Sequence, residues 1–307
     1  MIDPDRRQTD RAMETDGATD EFVRHRELLF SVVYNILGSV ADTEDVLQET
    51  WLSWAPRRDA AAAEIDNPRA YLVRVAVNHA LGKRAVMNRR RETYVGQWLP
   101  EPVVTTPDED DAADALIRAE SFSMALLVVL ESLSPIERAV FVLNEVFGYT
   151  HGEIAEMIDR TPTAVRQLAY RARQHVHARR PRQQADPRVR RQVTERFVAA
   201  AMGGDLEELL AVLAPDVTLW TDGGAKGPAT SLRPVHGWAD VAKVFLEVAR
   251  GLRADYKVTY RAVSGDPCAV VFDGDAPLAV VVLDVSSDNT VRGIYSVTNP
   301  DKLTAIH

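Results

Sequence analysis

The sequence predicts a multidomain protein: two all-α domains followed by an α+β domain whose helices pack on one curved antiparallel sheet. Three observations carry this. At 307 residues the chain is too long for one ordinary core. Apolar residues recur at helical spacing from Glu21 to about residue 181, with one proline-rich interruption. Beyond Asp186-Pro187 the pattern changes, and helices give way to a succession of strands.

Residues 1–20 lack periodicity and read as a disordered arm. His25 to Leu37 places Leu28, Leu29, Val32, Val33 and Ile36 on one face, and Gly38 closes that helix. Ser39 to Trp54 follows, with Val46, Leu47, Thr50, Trp51 and Trp54 together. Asn67-Pro68 opens a long helix that ends in Arg89-Arg90-Arg91. Pro100, Pro102, Pro107 and an acidic run at Asp108 to Asp114 make residues 92–115 a linker. A second helical block spans 116–181. After it come helices at Arg188 to Met202 and Asp205 to Leu213, a strand at Val217 to Thr221, and an amphipathic helix at Gly237 to Arg250. Strands then follow at Asp255 to Val263, Cys268 to Phe272, Leu278 to Val285 and Thr290 to Val297, separated by turn sequences such as Asp273-Gly274-Asp275.

Bulk properties exclude several classes. No apolar run is long enough to span a membrane, and the polar N-terminus has no secretion signal. One cysteine, Cys268, allows no internal disulfide and fits a reducing cytoplasm. The net charge of −9 argues against nucleic acid at first, but arginine is concentrated at 84–91 and 160–191. A local basic stripe is what meets phosphate.

Ser134-Pro135-Ile136-Glu137 and Thr150-His151-Gly152-Glu153 are capping boxes that start two helices, and Thr161-Pro162 starts a third. The third helix turns Val165, Leu168, Ala169, Ala172 and Val176 inward. Its outer face carries Thr163, Arg166, Gln167, Tyr170, Arg171, Arg173 and Gln174. Arg and Gln make paired hydrogen bonds to base edges, and further arginines neutralise phosphates, so this reads as a helix-turn-helix DNA-binding unit. The alternative is a three-helix bundle with a solvated basic face.

The two helical blocks resemble a known family. Ala41 to Trp51 is similar to the polymerase-binding helix of bacterial sigma factors, and Asn67 to Arg91 to the adjoining segment that reads the −10 element. Leu133 to Val176 resembles sigma region 4, which reads the −35 element. Together they resemble the extracytoplasmic-function (ECF) sigma factors, which keep only these two domains. The resemblance implies region 2 at 21–91 and region 4 at 116–181. It implies that Asp42, Asp45, Gln48 and Glu49 meet the polymerase core at its β′ clamp, with a further contact to the β flap. An acidic stripe suits a basic partner surface; a merely solvated face is the alternative. Arg69, Arg74, Asn78, Lys83, Arg84, Arg89, Arg90 and Arg91 would form the −10 surface, able to hold single-stranded DNA by phosphate contact and stacking. Tyr71 could stack there, although its helical spacing favours the core.

The extension at 187–307 resembles the SnoaL-like, NTF2-like cone, and three motifs resemble those of the subfamily with this extension, the sigma J type. These are Trp98-Leu99-Pro100-Glu101-Pro102 in the linker, Asp222-Gly223-Gly224-Ala225-Lys226 after the first strand of the extension, and Asn299-Pro300-Asp301-Lys302-Leu303 near the end. The second departs from the usual pattern by Ala225, which would be strained if that position needed a positive φ. The resemblance implies a regulatory domain that acts through these residues in place of a separate anti-sigma protein, with no metal or organic cofactor. Whether a small ligand sits in the cone is left open. For catalysis the only candidates are Asp222, His236, Trp220 and Tyr295, and turn formation and helix entry account for the first two. Two rival functions remain: a stand-alone helix-turn-helix regulator with a ligand-sensing domain, and a SnoaL-type enzyme fused to a binding module.

Overall fold

The computed structural model describes the backbone of residues 4–59, 65–105, 122–179, 185–228, 231–251 and 256–307. It describes the side chains of these residues except 4–18, 57–59, 90 and 179. The acidic run Asp108 to Asp114 and the expected start of the second helical block at 116 lie outside the described residues. The chain forms two compact units: residues 1–88 with 133–175, and residues 89–132 with 176–307.

The first unit is all helical. It contains α1 (Pro4–Leu37), α2 (Val40–Asp59) and α3 (Pro68–Arg91, as far as Asn88). It also contains α5 (Pro135–Glu145), α6 (His151–Met157) and α7 (Pro162–Arg179, as far as His175). The first helix begins well before Glu21, where an unstructured arm was expected. Proline fits a first helical turn, and no second proline follows to break the polar run after Pro4. The helix ends at Gly38 with φ +72°, whose N–H donates to the Tyr34 carbonyl at 2.7 Å. Leu29, Val32, Val33, Ile36, Val46, Leu72, Val77, Val140 and Leu143 are fully buried in this unit. Trp51 meets Phe22 edge-on at 5.2 Å, and Tyr71 packs against Trp54 at 5.8 Å, in line with its helical spacing.

The second unit is α+β. Helices α8 (Pro187–Gly203), α9 (Leu206–Val212) and α10 (Trp238–Gly251) cover one face of a seven-stranded sheet. Its strands are β1 (Val104–Thr105), β2 (Leu213–Asp222), β3 (Val235–His236), β4 (Tyr256–Val263), β5 (Asp266–Asp273), β6 (Ala276–Val285) and β7 (Val291–Val297), in the order β1-β4-β5-β6-β7-β2-β3. The sheet is mixed where an antiparallel one was expected. β2 runs parallel to β7, pairing Trp220 with Tyr295 and Asp222 with Val297, and every other pairing is antiparallel. A parallel pair needs a crossover, and here β3, α10, β4, β5 and β6 lie between the two strands in sequence.

The opposite face of the sheet is covered by residues that the sequence assigns elsewhere. Leu99 of the linker packs there with Val263, Cys268, Val270, Phe272, Val280 and Tyr295. Helix α4 (Met124–Leu130) joins them through Met124 and Ala125. Helix α4 lies in the same compact unit as the sheet, whereas residues 133–175 lie in the other. The linker also supplies β1, with Val104 opposite Val263 and Thr105 opposite Ala262.

Candidate polymerase, promoter and linker surfaces

The helix-turn-helix forms as its caps dictate. Ser134 and Thr150 each accept a hydrogen bond from the N–H three residues on, and Glu137 and Glu153 reach back to the cap N–H. The hydrogen bond from Ser134 holds the Glu137 carboxyl below its usual range, with Arg171 adding to the effect. Gly148 at φ +67° and Asp159 at φ +51° make the two turns, and the Thr161 hydroxyl caps α7 by accepting from Ala164 N–H at 3.2 Å. On α7, Thr163, Arg166, Gln167 and Tyr170 are exposed, Tyr170 to 61%. Arg171 pairs with Glu137 at 3.2 Å and Arg173 with Glu145 at 3.3 Å. Those two therefore lean back on α5, whereas Arg166 and Gln167 face outward near the start of the helix.

The acidic stripe lies on α2, with Asp45, Gln48 and Glu49 exposed and Asp42 half-buried. It is not a row of free carboxylates. Lys83 of α3 sits 2.8 Å from Asp45 and 3.3 Å from Asp42, and these contacts raise its pKa. Glu49 faces His79 at 3.2 Å.

The expected −10 surface is thinner than its list of basic residues. Arg69, Arg74 and Arg89 are exposed on α3, while the Arg90 side chain lies outside the described residues. Lys83 is committed to the acidic stripe. The Asn78 amide donates to the Arg74 carbonyl and, at 2.9 Å, to the Met157 carbonyl of α6. Arg84 must be removed from the surface: it is buried and donates to the Leu37 carbonyl at 2.8 Å. Arg138, which sequence reasoning passed over, donates to the Asn35 carbonyl at 2.9 Å. Two buried guanidinium groups thus satisfy carbonyls at the C-terminal end of α1, where helical partners run out and the dipole favours a cation. Arg91 is half-buried. It pairs with Glu131, and its guanidinium lies 3.3 Å from the centroid of the Trp98 ring.

In the second unit the three motifs converge. Asp222 is fully buried at the end of β2. Its Oδ1 accepts from the Tyr94 hydroxyl at 2.6 Å and from Gly224 N–H at 3.2 Å. Its Oδ2 accepts from Leu99 N–H at 2.8 Å and from Lys302 Nζ at 2.7 Å. Lys302 also donates to the Leu99 carbonyl and lies 4.0 Å from the Trp98 ring centroid. Asn299 donates to the Tyr94 oxygen at 2.8 Å. Burial pulls the Lys302 pKa below its ordinary value, against the pull of Asp222. Burial, then the Asp222 contact, pushes the Tyr94 phenol upward, so it stays a donor. Sequence reasoning missed Tyr94; a lone tyrosine next to the Arg89–Arg91 cluster carries no distinguishing spacing.

Around this centre, Pro100 is buried, Pro300 is exposed at the start of a short 3-10 turn, and Lys226 meets Asp301 in an exposed pair at 2.9 Å. The Gly223 carbonyl accepts from Gly227 N–H at 2.7 Å. The positive φ falls on Gly224, at +56°, and not on Ala225. A Cβ at Gly224 would lie 2.6 Å from the Asn299 amide nitrogen. Alanine at 225 is therefore accommodated. Trp220 and Tyr295 stack at 5.0 Å, His236 bonds Thr218 at 3.0 Å, and the Asp222 carboxylate is engaged by Tyr94, Leu99, Gly224 and Lys302. Burial pushes the Cys268 thiol up to about 12, which leaves it unreactive.

Comparison with known proteins is consistent along the chain. Residues 22–91 match the family described as Sigma-70 region 2, and residues 123–176 match Sigma-70, region 4. The ECF RNA polymerase sigma factor SigJ of Mycobacterium tuberculosis is 37% identical, over 92% of this chain and 92% of that protein. The probable ECF sigma factor SigI of the same organism is 29% identical, over 91% and 92%. The crystal structure of M. tuberculosis SigJ superposes with a TM-score of 0.73 at 34% identity, covering 93% of this chain and 98% of that one.

Proposed function

The chain belongs to the extracytoplasmic-function family of RNA polymerase sigma factors, and from that premise we propose how its parts divide the work of promoter-specific initiation. Sigma factors bind the polymerase core and promoter DNA, and this chain directs transcription initiation; a stand-alone regulator is not favoured. In our reading α7 enters the major groove at the −35 element, with Thr163, Arg166, Gln167 and Tyr170 toward the bases and Arg171 and Arg173 toward phosphates. Arg69, Arg74 and Arg89 serve the −10 element. Gln48 and Glu49, with Asp42 and Asp45, meet the core at the β′ clamp, and the region 4 block meets the β flap. The setting is the cytoplasm, and no metal or organic cofactor is required.

The C-terminal domain regulates this by gripping the linker. The observation that carries the proposal is the buried Asp222 carboxylate, which takes hydrogen bonds from Tyr94 and Leu99 of the linker and from Lys302 of its own domain. A linker held in this way sets how the two DNA-reading domains are presented, a task that a separate anti-sigma protein performs in other systems. The domain acts as a regulator and not as an enzyme.

The test is in vitro transcription with core polymerase, comparing the full chain, Asp222→Asn, and a version ending after residue 180. Promoter-specific transcript should change with Asp222→Asn in the same direction as with truncation. If both variants transcribe as the full chain does, the regulatory reading falls while the family assignment stands.

A further inference from the structure

The C-terminal domain encloses a cavity of about 320 Å³ between α8, α10 and the sheet, a size typical of small-molecule sites. Its walls are mostly apolar, with Phe197 and Phe245 meeting edge-on at 4.9 Å at the helical side. Ser296 and Tyr256 bring hydroxyl groups. Among the described lining residues the only charged one is Glu247, which is exposed.

The cavity lies on the opposite face of the sheet from the linker, because side chains alternate along a strand. Thr221 lines it while Asp222 holds the linker, and Ser296 lines it while Val297 packs on the linker side. Val281 faces the cavity, and Val280 faces the cluster around Leu99. The linker contacts therefore account for none of this lining.

We propose that the cavity is a binding site for an uncharged, largely hydrocarbon molecule carrying a hydroxyl or carbonyl group. The apolar walls reward hydrocarbon. A hydroxyl or carbonyl finds partners at Ser296 and Tyr256. A carboxylate would be buried with no cation among the described lining residues. This binding does not depend on the regulatory reading above.

The test uses the full chain and the neutral fluorophore 6-propionyl-2-(dimethylamino)naphthalene, with decan-1-ol and decanoate as competitors at pH 7.5. The expected result is saturable binding at one site per chain, displacement by decan-1-ol, and at least about tenfold weaker displacement by decanoate. Ala279→Phe, which fills the cavity from β6, should abolish the binding while circular dichroism and melting stay as in the parent. Should Ala279→Phe melt lower, Val248→Trp on α10 plugs the same space from the helix side. Absence of saturable binding, equal competition by decanoate, or undiminished binding in a folded plugged variant would each overturn the proposal.

Discussion

Asp222 shows how much one carboxylate can organise when it is buried with every lone pair engaged. It joins the end of β2, the linker and the turn at Asn299, so a change of one atom there reaches three segments. The neighbouring glycines matter unequally. Gly224→Ala combines a positive φ with a contact to Asn299 and should cost the second unit about 1–3 kcal/mol. Ala225→Gly should shift stability by less than about 1 kcal/mol; chemical unfolding of the two variants measures both. The sequence revealed that this motif departs from its family at Ala225, but not which of its positions is left-handed, since that depends on the Asn299 side chain from a distant turn. A second buried acid makes a pH prediction. Burial raises Asp266 to about 6, although its partner Arg190 pulls the other way. A raised carboxyl stabilises the folded state below its unfolded value near 4, and the contribution is lost as pH rises through 6. Between pH 4 and 7 the parent should therefore lose about 2–3 kcal/mol relative to Asp266→Asn, measured by denaturant titration of both proteins.

At the scale of elements, local chemistry was readable and long-range pairing was not. Capping boxes, prolines and glycines marked α5, α6 and α7 because each signal lies within four residues of what it controls. The same signals could not say that α4 packs on the sheet. Met124, Ala125 and Leu127 give it an apolar face that fits either core. Strand β1 has two residues in a proline-rich stretch and is stabilised by pairing with β4, so nothing local announces it. The arginine-rich segment of α3 was read as one basic surface, but helical period sends Arg84 inward and leaves Arg89 exposed. On α7 the prediction is directional. Arg166→Ala should weaken specific −35 binding by about 1–3 kcal/mol and relax base preference, whereas Arg173→Ala should weaken binding to all sequences alike. Transcription from a panel of single-base −35 variants separates the two patterns.

For the whole molecule, the division of the chain in space differs from its division in sequence. The two promoter-reading blocks form one unit, with Asn78 bonded to Met157 and Arg138 to Asn35 across them. The segment between those blocks in sequence belongs to the other unit. The C-terminal domain is thus completed by the linker that it would control, which supplies Tyr94, Leu99 and an edge strand. Hydrogen exchange of the full chain, read by mass spectrometry over residues 94–105, tests this most directly. We predict protection of this segment in the parent and its loss in Asp222→Ala, with exchange in α1 and α5 unchanged. Equal exchange over 94–105 in the two proteins would contradict the account.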